Sequence, residues 1–221
     1  MTEFGFVRLD GHMADDLSVV NSARVSYGRS SEKLNEGGEL LINFLMRERH
    51  GTPFEHNAFR FHVKCPLFVA REWFRHRIGS FNEISARYSL IKDDFFVPAK
   101  QQIRTQLGKP GEYVFEPVDE VSAENTVLDI NEVNSYCFEA YERLLAKGVA
   151  KELARVVLPV SMYTQFYWTV NARSLMNFLS LRNHKTAQLD IRLYAEKIEE
   201  LFGQIMPATH KYWIENGRIA P

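Results

Sequence analysis

Phe59-Arg60-Phe61-His62-Val63-Lys64-Cys65-Pro66 leads through Leu67–Phe74 into Arg75-His76-Arg77-Ile78-Gly79-Ser80-Phe81-Asn82-Glu83-Ile84-Ser85-Ala86-Arg87-Tyr88. In the first piece Phe59, Phe61 and Val63 alternate with Arg60, His62 and Lys64, the period of two of a half-buried strand. Pro66 suits the first turn of a helix. On that helix Val69, Ala70, Trp73 and Phe74 share one face, and Arg71, Glu72, Arg75 and His76 share the opposite one, because residues three and four apart are neighbours. One side therefore enters a core and the other presents charge. The last piece runs off the helix end into irregular backbone, and almost every second residue in it carries a hydrogen-bonding group. Arginine forks bind phosphate bidentately, and Ser, Asn and backbone amides complete such a site. The stretch reads as a holder for a phosphorylated, polyfunctional ligand. By composition alone a solvated helix face and a Ser/Asn turn would be preferred.

Upstream, residues 4–8 read as a short strand. Asp15 and Asp16 precede a helix through Leu17, Val19, Val20 and Ala23 that ends near residues 24–27. Gly37-Gly38 punctuate before Leu40, Leu41, Phe44 and Leu45, whose spacing is helical. Gly51-Thr52-Pro53 breaks that helix. Downstream, Pro98, Pro110-Gly111 and Pro117 interrupt residues 89–128, a long excursion over the site with Phe95-Phe96-Val97 as its strand candidate. The second half reads as helical. Val133, Tyr136, Cys137, Ala140, Tyr141, Leu144 and Leu145 keep a 3.6 period that Gly148 stops. A short helix carries Glu152 and Arg155 to Pro159. Residues 168–175 lead into a helix with Arg173 and Asn177 one turn apart, and Ile191, Tyr194, Ala195, Ile198 and Leu201 mark a final long helix. A few strands with segregated helices imply the α+β class, one domain over residues 1–221, rather than a βαβ repeat.

The 221 residues are 45% hydrophobic and 25% charged, with a formal net charge of -1. That balance exerts no overall pull toward nucleic acid or membrane, so an anion site has to be a local basic pocket. An RNA-binding reading of the Arg71–Arg87 region is further weakened by Glu72 and Glu83 inside it. Two cysteines, Cys65 and Cys137, argue against a disulfide framework and point to a reducing, cytoplasmic setting. No apolar run spans a bilayer and no signal-peptide pattern opens the chain. A Rossmann fingerprint and a P-loop are both missing. His50, His56, His62 and His76 lack the carboxylate and thiolate company of a metal site, so no metal is expected. Cys65 before Pro66, and Cys137 on an apolar helix face, read as small core residues rather than nucleophiles.

The stretch from Arg75 to Arg87 fits R-H-R-x-x-S-x-N-x-x-S-x-R at all seven fixed positions of thirteen. Here the chain resembles the flavin-dependent thymidylate synthases, whose signature this is. Further blocks stand in family order: Arg24-Val25-Ser26, Glu48–His56, Ala154–Pro159, Asn171–Leu175 and Leu181-Arg182. The resemblance implies that family's fold, helices packed with a small, mostly antiparallel sheet. It implies transfer of a methylene from methylenetetrahydrofolate to dUMP, reduction by a flavin hydride to give dTMP, and NADPH to reload the FAD. It also implies a homotetramer whose sites are shared between subunits.

Residue by residue, Arg75, His76, Arg77, Thr52, Glu83, Asn171, Arg173 and Asn177 match FAD positions, with Ser26 as a further candidate. Glu72, Arg75, Glu83, Ser85, Ala86, Arg87 and Arg155 match dUMP positions. Arg182 matches the arginine beside the uracil, and His50 a residue near flavin and folate. The other, folate-only class of thymidylate synthase needs a cysteine nucleophile. Here the arginines are the available electrophiles, and a guanidinium stabilises charge where it develops on the pyrimidine. Two departures stand out. Glu72 replaces the usual glutamine, so it is protonated, or pairs with Arg71 or Arg75, or alters the dUMP contact. Thr186 stands where relatives can carry histidine, with His184 two residues earlier.

Overall fold

The computed structural model describes residues 5–221. Strands β1 (Phe6–Met13), β2 (Ala58–Pro66), β3 (Ser80–Glu83) and β6 (Tyr163–Asn171) form one sheet in the order β1-β2-β6-β3, antiparallel throughout. Strands β4 (Arg104–Leu107) and β5 (Val114–Pro117) form a separate hairpin. The alternation read in β2 holds: Phe59, Phe61, Val63 and Cys65 are buried, and they face the same side as Phe166, Trp168 and Val170 of β6 through the pairs Phe59↔Val170, Phe61↔Trp168 and Val63↔Phe166. β1 keeps this inward pattern up to an irregularity between Leu9 and Gly11. The strand expected at residues 4–8 is β1, displaced to Phe6–Met13; Phe4 lies outside the described residues.

Helices α4 (Leu67–Trp73), α7 (Ala172–Arg182) and α8 (Leu189–Ile205) cover the apolar face of the sheet. Trp73 is the hub. Its ring lies 5.4 Å from Trp168, 5.0 Å from Phe178 and 6.1 Å from Tyr194. Burying an aromatic of this size is worth about 1.5–3 kcal/mol, so this cluster fixes where α4 ends and where the signature begins. Helix α9 (Pro207–Glu215) packs on α8, helices α1 (Asp16–Arg24) and α2 (Glu36–Arg47) pack on α9 and on each other, and α3 (Thr52–Glu55) sits between α1 and α7. Asp16, on α1, is buried and satisfied at the start of α9, where it accepts from Ala208 N at 2.8 Å, Thr209 N at 2.8 Å and Thr209 Oγ1 at 2.6 Å. A buried carboxylate with three donors is stabilised rather than stranded.

Several expectations shift. α2 begins at Glu36, with Asn35 as its cap, so Gly37-Gly38 lie inside the first turn rather than before the helix. The long helix α5 runs from Glu120 to Ala146. It therefore takes over the end of the segment read as an excursion, started by the Asp119 carboxylate accepting from Ser122 N. Gly148, at φ +80, follows it as read. Phe95 makes a single bridge to Met162 in place of a strand, and a short α6 (Lys151–Ala154) carries Glu152. The largest correction is β6. Residues 163–171 are the second central strand, and the second half is not wholly helical. β3 likewise replaces the irregular backbone expected after the charged helix.

Candidate functional site

Two clefts collect most of the signature. The first forms where α4 ends against α7. After Trp73 the chain tightens, with His76 N donating to Trp73 O at 3.0 Å, and Arg75, His76 and Arg77 emerge from the helix end. Together with Ser174, Asn177 and Arg182 they line a cleft of about 540 Å³. Arg182 is half-buried and held at all three nitrogens: its Nε donates to His76 Nε2 at 3.0 Å, one terminal nitrogen to Glu72 Oε2 at 3.2 Å, and the other to Glu72 O at 3.4 Å. Glu72 thus pairs with Arg182 rather than with Arg71 or Arg75, the partners named in one of the three alternatives for it. Glu72 and His76, four residues apart, turn toward α7, while Arg71 and Arg75 stay exposed.

Burial, with repulsion from Arg182 and Arg75, holds the His76 pKa down at about 4, so the ring is neutral near pH 7. Its Nε2 accepts from Arg182, which places the ring proton on Nδ1. Among the described residues, the side chains of Arg75 and Arg77 have no hydrogen-bonded or ion-paired partner. Two free guanidiniums at the mouth of a cleft, beside a side-chain amide and a hydroxyl, fit the diphosphate of a dinucleotide cofactor.

The second cleft, of about 550 Å³, lies beyond the far end of β3 and includes Glu83, Ala86, Lys64, Gln165, Arg155 and Thr164. Glu83 accepts from Thr164 Oγ1, and Lys64 pairs with Asp94. Leu90 and Ile91 from the 89–128 segment form part of the wall of this cleft. At its rim Arg87 Nε meets Glu152 Oε2 at 3.2 Å, and within the lining Arg155 Nε donates to Glu152 O at 3.3 Å. The carboxylate of Glu152 therefore serves Arg87 rather than Arg155. Ser85 Oγ accepts from Arg87 N at 3.3 Å. Cys65 lies behind this wall, and burial, reinforced by Glu83, pushes its thiol far above the ordinary range; it is no thiolate nucleophile.

Other predicted residues fall elsewhere. Arg173 donates to Pro221 O at 2.6 Å and to Glu55 at 2.6 Å, beside Thr52 at the start of α3. A Cβ on Gly51 would lie 2.4 Å from Arg173 Nε, so glycine is what admits that side chain. Asn171 is the N-cap of α7, accepting from Ser174 N at 2.8 Å. His50 is exposed with its ring 5.7 Å from Phe44, and Ser26 is exposed on the turn after α1. His184 Nδ1 and Thr186 Oγ1 lie 2.8 Å apart, so these two residues act on each other. Ser174, Lys64, Thr164 and Gln165 were missed by sequence reading. The alternation of Phe166, Trp168 and Val170 with Gln165, Tyr167 and Thr169 was the signal that would have placed the last two on a strand.

This sheet, its one-sided helical cover and a cleft lined by Arg75, Arg77 and Arg182 define an α+β scaffold with a basic pocket suited to an anionic ligand. The sequence model of the thymidylate synthase complementing proteins matches residues 8–208, and the chain belongs to that family. It is similar to the flavin-dependent thymidylate synthase of Thermosipho africanus, 49% identical over 96% of this chain and 91% of that one. The enzyme of the same description from Thermotoga neapolitana is 44% identical over 96% and 91%. The crystal structure of the UMP/dUMP methylase PolB from Streptomyces cacaoi with 5-Br dUMP superposes at TM-score 0.92 with 41% identity, covering 98% of this chain and 97% of that one.

Proposed function

We propose that the chain is a flavin-dependent thymidylate synthase that methylates dUMP reductively to dTMP, with FAD as its flavin and methylenetetrahydrofolate and NADPH as co-substrates in the cytoplasm. The observation that carries this reading is the first cleft, where free Arg75 and Arg77 stand beside an Arg182 held by neutral His76. Arg75, Arg77, Asn177 and Ser174 would hold the cofactor diphosphate. When bound there, a flavin would supply the hydride that completes the methyl group. Arg182 stabilises negative charge as it develops on the pyrimidine, in a half-buried setting where a fixed guanidinium acts more strongly than in water. Neutral His76 adds no competing positive charge and keeps the guanidinium plane in place. Ser85, Arg87 and Arg155, around the second cleft, hold the substrate phosphate.

β3 is four residues long, about 13 Å at the rise of a strand, and it carries the chain from Arg77 at the first cleft to Glu83, its last residue, at the second. We read the two clefts as halves of one site contributed by different copies of the chain, in a homotetramer. Ile78, Ile84, Tyr88 and Val156 beside them are exposed apolar residues, which supports that reading.

The test is an anaerobic visible spectrum of the purified protein with NADPH, then with dUMP and methylenetetrahydrofolate. A flavin band that bleaches with NADPH and returns only when both substrates are present is the expected result. The Glu72–Arg182 ion pair favours one second reading, a protein that binds flavin and nucleotide without turnover. A band that bleaches and never returns would favour that reading, and a protein that takes up no flavin would defeat both.

A further inference from the structure

We propose that Glu72 is the positioning residue of Arg182, and that its carboxylate sets how readily a pyrimidine bound there ionises at N3. The inference rests on the reading of Arg182 given above. Arginine has five N–H donors, and Arg182 commits three of them, one to His76 and two to Glu72. The remaining two, one on each terminal nitrogen, are what a ligand can meet. A pyrimidine that has lost its N3 proton presents adjacent acceptors along one edge, which suits two donors on a fixed plane. Glu72 grips that plane twice, through its side chain and its own carbonyl, and His76, just past the end of α4, grips it a third time.

A glutamine at position 72 would offer the same oxygen without charge. The carboxylate adds a fixed negative charge on the far side of the guanidinium. A like charge a few ångströms from a developing anion disfavours it, so Glu72 holds base ionisation back while it orients the group that promotes it. The other charged groups at the cleft are Arg75 and Arg77, just beyond α4. α8, packed behind Trp73, contributes Tyr194 at 6.1 Å from that ring.

The probe is 5-bromo-dUMP, whose electron-withdrawing bromine brings N3 ionisation nearer neutral pH than in dUMP. Its bound anion is read by ultraviolet absorption as pH is varied. With Glu72→Gln the ionisation midpoint should fall by about one pH unit, with dUMP affinity kept or improved. Glu72→Ala should lower kcat by about ten- to a hundredfold, and Glu72→Gln should recover most of that loss, because the amide oxygen still holds the guanidinium. Equal midpoints in wild type and Glu72→Gln, or wild-type kcat in Glu72→Ala, would overturn the proposal. Arg182→Ala separates the two layers. If it raises the midpoint while Glu72→Gln does nothing, the Glu72 inference alone is lost. If it leaves the midpoint untouched, the base does not sit at Arg182 and both readings fall.

Discussion

At the residue scale, the same burial that makes His76 an acceptor for Arg182 makes it a proton-linked liability. Unfolded, its imidazole takes up a proton at about 6.5; in the fold it does so only at about 4. Between those values the unfolded chain binds more protons, so stability falls as pH falls. The contribution is complete above 6.5 and gone below 4. Glu199 acts in a lower window. Burial raises its carboxyl, but hydrogen bonds from His210, Arg218 and Asn183 outweigh that and hold it at about 2 against an ordinary 4.5. Its contribution is present above 4.5 and lost as pH falls toward 2. Thermal melts across pH should therefore show a first decline between pH 6.5 and 4 that His76→Gln flattens, and a second below 4.5 that Glu199→Gln flattens. A single decline insensitive to His76→Gln would mean that the ring is not buried against Arg182.

At the scale of elements, the approach of β3 to β6 decides whether the signature sits where it does. A Cβ on Gly79 would lie 2.8 Å from Trp168 Nε1 and 3.0 Å from Thr169 O. The backbone oxygen cannot rotate away as a side-chain tip could. Gly79→Ala should therefore push β3 outward and cost about 1–3 kcal/mol, as overpacking does, at about 2–4 °C in Tm per kcal/mol for a chain of this size. Calorimetry checks the stability, and the 5-bromo-dUMP midpoint checks whether the cleft has shifted with it. An unchanged melt would show that β3 is not held against Trp168. Asn171 belongs to this scale as well. Resemblance matched it to the cofactor, yet its side chain caps α7, and through α7 it aims Asn177 and Arg182.

For the whole molecule, the distribution of apolar surface is unequal. The sheet and α4, α7 and α8 share a closed core, while α5 buries only Ala123, Asn134 and Tyr141 and exposes Val121, Leu128, Val133 and Tyr136. Of the periodic face read from the sequence, Tyr141 is buried and Cys137, Ala140, Leu144 and Leu145 are partly covered, while Val133 and Tyr136 are exposed. If the two clefts join between copies, Arg182→Ala and Arg87→Ala should each abolish most turnover. Mixed and reassembled, the two variants should regain part of it, because some sites would then combine two intact halves. Mixtures no more active than either parent would place both clefts in one copy's site.

What the sequence determined by itself is local. Alternation in β2, the two faces of α4, the stop after α5 and the thirteen-residue signature are each written within a few turns of chain. The periods of 2 and 3.6, and the chemistry of arginine, need no distant partner to be read. The same holds for the exclusion of cysteine nucleophiles, which the burial of Cys65 supports. The tertiary structure decided what depends on pairing. β6 looked like the lead-in to a helix because its strand character lies in which neighbours bury Phe166, Trp168 and Val170. Glu72 and Arg182 are 110 residues apart in the chain, and no spacing rule links them. The pair exists because Trp73 packs on Phe178 and brings α4 against α7.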